Sequence, residues 1–112
     1  MIVKYYKDVP LESDPNGKKA GIRWLLSKKD GAKNFAMRMI EVEPGGSTPL
    51  HSHPWEHEVY IVEGESKIKI GDEDKNVKEE HAVFVPSGVK HTFRNIGEKT
   101  LRMICVIPLK EE

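Results

Sequence analysis

Turn residues punctuate this chain about every ten positions, and that spacing limits what it can fold into. The stretches "DPNGKK", "KKDGAKN", "EPGGSTP", "EGES", "GDEDKN", "PSGVK" and "NIGEK" combine Gly, Pro, Asn and Asp with polar residues, a composition that favours chain reversal. Between them lie short runs rich in Val, Ile, Phe, Tyr and Met: "FAMRMIEVE", "HEVYIVE", "SKIKI", "AVFV", "KHTFRN" and "LRMICVIP". Such an arrangement predicts an all-β fold, an antiparallel sandwich or barrel. No stretch holds a helical period, and no internal repeat or low-complexity linker interrupts the chain. At 112 residues the chain has the length of one ordinary domain. Its first thirty residues are less regular: "VKYY" and "IRWLLS" read as added strands, with "PLESDPNGKK" as a long loop between them. The expected organisation is residues 1–30 as N-terminal strands and loop, packed on a barrel of residues 31–112.

Alternation assigns the strand faces, because successive side chains leave opposite sides of a strand. Glu41 and Glu43 belong in water, so Ala36, Arg38, Ile40 and Val42 point inward, with Arg38 the one charge among them. Arg102 marks the outer face of its run, which turns Leu101, Met103, Cys105 and Ile107 in. With His57, Val59 and Ile61 inward, Tyr60 and Val62 form an apolar outer stripe that needs a cover, from the N-terminal strands or from a second subunit. A homodimer is the expectation.

Composition removes several function classes. Lys plus Arg and Asp plus Glu number 18 each, so no net charge favours nucleic acid or a solvating tail. No apolar run approaches the roughly 20 residues of a membrane span, and the N-terminus lacks a secretory apolar core. The single cysteine, Cys105, excludes an internal disulfide and fits a reducing cytoplasm. Abundant Lys and Glu without any glutamine point to a thermophilic source.

Function concentrates in the histidines. Three of five lie in "HSHPWEHE": His51, His53 and His57. Two-residue spacing puts His51 and His53 on one strand face, and His57 returns to that face after a Pro54-Trp55 kink. His91 shares a face with Phe93 and Asn95. Four imidazoles converging inside a barrel make a site for a divalent metal: Mn, Fe, Co, Ni, Cu or Zn.

The spacing is also that of a known family. Gly45-x5-His51-x-His53-x3-His57-x6-Gly64 and Pro86-x-Gly88-x2-His91-x3-Asn95 resemble the two signature motifs of the cupin superfamily, and together the motifs span about half the chain. The resemblance implies a double-stranded β-helix, a jelly-roll-like barrel. It implies one metal ion per chain, manganese foremost, held by His51, His53, His57 and His91 as in the small single-domain cupins with four-histidine sites. Two positions depart from the pattern. Glu80 stands where the second motif opens with glycine, and His57 stands where the family usually has a glutamate, with Glu58 next door.

Cupin barrels serve many reactions, so the site carries the functional expectation. Four neutral ligands leave the full charge on the ion, and an octahedral ion keeps two open positions. That suits a metal-dependent oxidoreductase of the dioxygenase type, acting on a small, anionic organic substrate. Arg38 would steer the anion, while Trp55, Phe93, Met103, Cys105 and Ile107 would shape the pocket. The alternatives are a small-molecule binding or sensing module, or a non-oxidative isomerase or decarboxylase.

Overall fold

In the computed structural model, which describes residues 1–109, nine strands form one curled antiparallel sheet. They are β1 (Glu12–Ser13), β2 (Lys18–Leu26), β3 (Phe35–Ser47), β4 (His57–Glu63), β5 (Ser66–Ile70), β6 (Glu73–Val77), β7 (Ala82–Val85), β8 (His91–Asn95) and β9 (Leu101–Pro108). The order across the sheet is β6-β5-β8-β3-β9-β4-β7, with β2 and then β1 joining at β3. This is the all-β, double-stranded β-helix expected from the sequence. Helical structure among the described residues is limited to two short 3-10 turns, Tyr6–Asp8 and Lys28–Asp30, and a 3-10 residue at Leu109, and no helix is long and apolar enough to cross a membrane. Residues 110–112, counted with the barrel above, lie outside the described residues.

Strand β3 connects the two halves of the curl. Residues 35–42 pair with residues 108–101 of β9, and Ser47 then pairs with Arg94 of β8. Between these ladders the chain bulges: Ala20 of β2 faces Val42, whereas Lys18 faces Ser47. The bulge needs Pro44, which has no amide to donate, and Gly45, which takes φ +82°. A Cβ on Gly46 would meet the Lys18 carbonyl. "EPGGS" is therefore a bulge within a continuous strand rather than the expected turn.

Other expectations are corrected in the same way. Val3–Tyr5 forms no strand, and Tyr6 opens a 3-10 turn. The long loop of residues 10–19 holds the short strand β1, paired with Gly21 and Ile22 of β2. "GDEDKN" is mostly strand β6, an edge strand exposed at every residue but Val77, so it shows no apolar alternation.

The inward faces are those that alternation assigns. Val42, Ile61, Leu101 and Cys105 are fully buried and Met103 nearly so, while Ala36, Val59 and Ile107 join the same core. Side chains meet in rows across the sheet, because register aligns them: Trp24, Arg38, Cys105 and Val59 stand opposite one another on β2, β3, β9 and β4. On the outer face Tyr60 remains 44% exposed and Phe84 53%. The N-terminal segment lies elsewhere, with Tyr6 stacked under Arg102 at 4.6 Å and Arg23 at 5.4 Å.

Candidate metal centre

Backbone pairing brings the two histidine segments together. His51 and His91 each donate an amide to the other's carbonyl, at 3.2 and 3.0 Å, and Gly88 donates to the His53 carbonyl at 2.8 Å. The expected strand through His51 and His53 is thus a single bridge followed by an extended loop. Gly88 reaches its position with φ +77°, where a glycine is at ease. Asn95 secures the other end of β8: its side-chain amide donates to the Val42 and Lys99 carbonyls, and its Oδ1 accepts from Gly97.

The imidazoles of His51, His53 and His91 then converge, with one ligand nitrogen from each lying within 4.8 Å of the others. Donors bound to one ion at about 2.1 Å lie at most about 4.2 Å apart, so small ring rotations close this set on a metal. His91 is already oriented, because its Nδ1 donates to the Val89 carbonyl at 2.9 Å and leaves Nε2 free. His57 lies outside this trio. Its ring stacks on His53 with centroids 4.2 Å apart and planes within 2°, and its Nε2 is 3.2 Å from His53 Nδ1. On the other side of His53, Trp55 stacks at 4.3 Å. The far nitrogen of His57, Nδ1, is 3.2 Å from Cys105 Sγ, and that sulfur accepts from Arg38 Nη2 at 3.0 Å.

All four histidines line a cavity of about 150 Å³. Arg38, Trp55 and Phe93 line it too, as do Met103, Cys105 and Ile107. Two buried donors there, Arg38 Nε and Trp55 Nε1, have no hydrogen-bond partner among the described residues. Glu58 does not enter: it is exposed and borders the outer groove with Tyr60 and Phe84. His81 stands apart and exposed.

Burial makes charging these rings costly. It lowers His51, pushes His53 down to about 4 and pushes His57 down to about 3, with the neighbouring histidines and Arg38 adding to the effect. Neutral imidazoles are the form that binds a metal. Burial also pushes the Cys105 thiol up, against an opposing pull from Arg38.

One lining residue is invisible at the sequence level. Asp14 is the one carboxylate that lines the cavity among the described residues, and its charge acts on His51 against the burial effect. Asp-Pro-Asn-Gly reads locally as turn chemistry only. The β1–β2 hairpin, closed by the Asp14 amide on the Ala20 carbonyl at 2.9 Å, carries it to the site.

Residues 38–107 match the family model described as the Cupin domain. The chain belongs to the cupin family. The match runs from Arg38 to Ile107, so it contains every site residue expected from the sequence and leaves out Asp14. This cupin is 32% identical over 96 residues to the polyketide synthase protein CurC of Streptomyces cyaneus, spanning 83% of its own length and 62% of CurC. It is 35% identical to the oxalate-binding protein of Thermotoga maritima over 89 residues, 76% of this chain and 72% of that one. Among solved structures, the polyketide cyclase RemF of Streptomyces resistomycificus superposes with a TM-score of 0.89 at 35% identity, covering 97% of this cupin and 80% of RemF.

Proposed function

We propose that this cupin holds one divalent transition metal per chain through His51, His53, His57 and His91, manganese foremost, and works as a metal-dependent oxidoreductase of the dioxygenase type on a small anionic substrate. The observation that carries the reading is the convergence of His51, His53 and His91 in a cavity where Arg38 Nε and Trp55 Nε1 lack partners. His57 is the fourth donor that the family resemblance implies: its Nε2 stands 3.2 Å from His53 Nδ1, and since the two rings stack in parallel planes, a turn of the His53 ring is what would bring both lone pairs onto one ion.

The bound ion would supply Lewis acidity and a template for an enolate, catecholate or carboxylate. The protein's own groups do the rest. Arg38 offers an N–H and a positive charge to the anion, Trp55 offers its indole N–H, and Phe93, Met103 and Ile107 keep water out. A cavity near 150 Å³ takes a group about the size of one benzene ring, which favours a small substrate. Dioxygen is the oxidant, and both of its atoms end in the product. The test is elemental analysis of untagged protein, followed by an oxygen-uptake screen of small carboxylates, enols and catechols, run aerobically and anaerobically. Metal-dependent oxygen uptake supports the reading; turnover without it refutes the oxidoreductase.

The similarity to an oxalate-binding protein favours a second reading, in which the same cavity binds a small dicarboxylate without turnover or decarboxylates it without oxygen. We also place this cupin in the cytoplasm of a thermophile, supported by its lone cysteine and its charged, glutamine-free composition. Finally, we read it as a homodimer joined over the outer face of β4, where Tyr60 of the expected Tyr60–Val62 stripe is exposed beside Phe84 of β7 while Val62 is half-buried.

A further inference from the structure

The fourth histidine has an orienting partner that no family motif contains. Cys105 is fully buried and stands opposite Arg38 on one side and Val59 on the other. His57 is two residues from Val59 on the same inward face of β4, so the thiol meets its ring diagonally across the ladder. Sγ lies 3.2 Å from His57 Nδ1 and accepts from Arg38 Nη2 at 3.0 Å. Arg38 is itself backed by Trp24, whose ring lies 5.4 Å from the guanidinium carbon.

We infer that Cys105, fixed by Arg38, is the positioning residue that turns His57 Nε2 toward the metal. The inference rests on the reading of His57 as a ligand. A neutral imidazole carries one proton. With Nε2 as the donor to an ion, that proton sits on Nδ1 and must be given to an acceptor, and ligand histidines are held by such outer partners. For His91 the acceptor is the Val89 carbonyl. For His57 it is the Cys105 sulfur. A thiol sulfur is a weak acceptor, so it holds a ring well only when its own place is fixed. The guanidinium of Arg38 does that, and Arg38 thereby links the anion-binding side of the cavity to the ligand set.

The test compares wild type, Cys105→Ser, Cys105→Ala and His57→Ala by Co(II) titration, reading affinity and the visible ligand-field bands, with thermal melting of the metal-free proteins as a control for folding. Cys105→Ala should bind Co(II) about 10–100-fold more weakly, with bands shifted toward those of His57→Ala. Cys105→Ser, which keeps an acceptor, should restore most of the affinity. A Cys105→Ala protein that melts earlier but binds Co(II) with unchanged affinity and bands overturns the inference, while the metal centre stands. A wild type that binds no Co(II) overturns the metal centre and the inference with it. Should Cys105→Ala fail to fold, the Zn(II)-loaded wild type and Cys105→Ser decide by NMR. The His57 Nδ1 proton resonance moves if the ring donates to position 105, and an unmoved resonance overturns the inference.

Discussion

His57 and Glu58 are adjacent in sequence and stand on opposite faces of β4, His57 6% exposed beside the cavity and Glu58 out on the surface groove. The period of two that governs any strand makes them alternatives, never partners. His57→Ala should therefore weaken metal binding by at least about tenfold, and Glu58→Gln should leave it unchanged within about twofold. Competition titration with a chromophoric chelator measures both. Equal losses for the two variants would return the fourth position to Glu58.

The lowered histidines set a pH dependence for the metal-free protein. Unfolded histidines take up protons near pH 6.5, whereas His53 and His57 stay neutral in the fold until about 4 and about 3. As the pH falls through 6.5 the unfolded state binds more protons than the folded one, so stability falls from there toward pH 4. Chelator-treated wild type should melt progressively lower between pH 7 and pH 5, above the ordinary carboxylate range. His57→Ala should show a shallower slope over that interval. Parallel slopes would show that His57 charges as freely in the fold as out of it.

Glu80 occupies the motif position of a glycine and takes φ +72°. That conformation costs a non-glycine residue about 1 kcal/mol or more, and Glu80 is exposed, with its amide donating to Ile61, a bond that glycine keeps. Glu80→Gly should raise stability by about 0.5–1 kcal/mol, read as the urea midpoint. Gly64 is the opposite case. It takes φ +95°, and a Cβ there would lie 2.9 Å from Leu101 Cα. Gly64→Ala should cost about 2 kcal/mol or more.

The outer groove bordered by Tyr60, Phe84 and Ile104 is the face assigned to a second copy. Sedimentation at micromolar concentration should give twice the chain mass for wild type and the chain mass for Phe84→Glu, with metal binding kept by both. A wild-type monomer under these conditions sinks the dimer.

What the sequence reveals follows from how local each cause is. Inward faces are readable because Glu41 and Glu43 on β3 and Arg102 on β9 belong in water and fix the phase, while His57 sets it on β4. The histidine segments are readable because their spacing is tied to the bulges and turns that aim them. β6 escapes notice because an exposed edge strand carries no apolar alternation. Asp14 escapes because two successive pairings bring it to the cavity, β1 on β2 and β2 on β3, and the second, with Ile22 against Ile40, has no local signature. The Cys105–His57 contact joins positions 48 apart and depends on register alone.

The placement of β9 also governs when the site comes into being. β9 lies between β3 and β4, which have no ladder with each other in the sheet order. As the chain leaves the ribosome, β3 and β4 emerge long before the strand that joins them, and His91 emerges forty residues after His51. Non-local pairing of this kind is slow, because loop closure must precede the contacts that reward it. The nascent chain consequently carries His51, His53 and His57 without their fourth partner until β8 is released, and without the β9 ladder beside β4 until the strand after it follows. The donor set proposed above is therefore complete only once β8 and β9 have both paired.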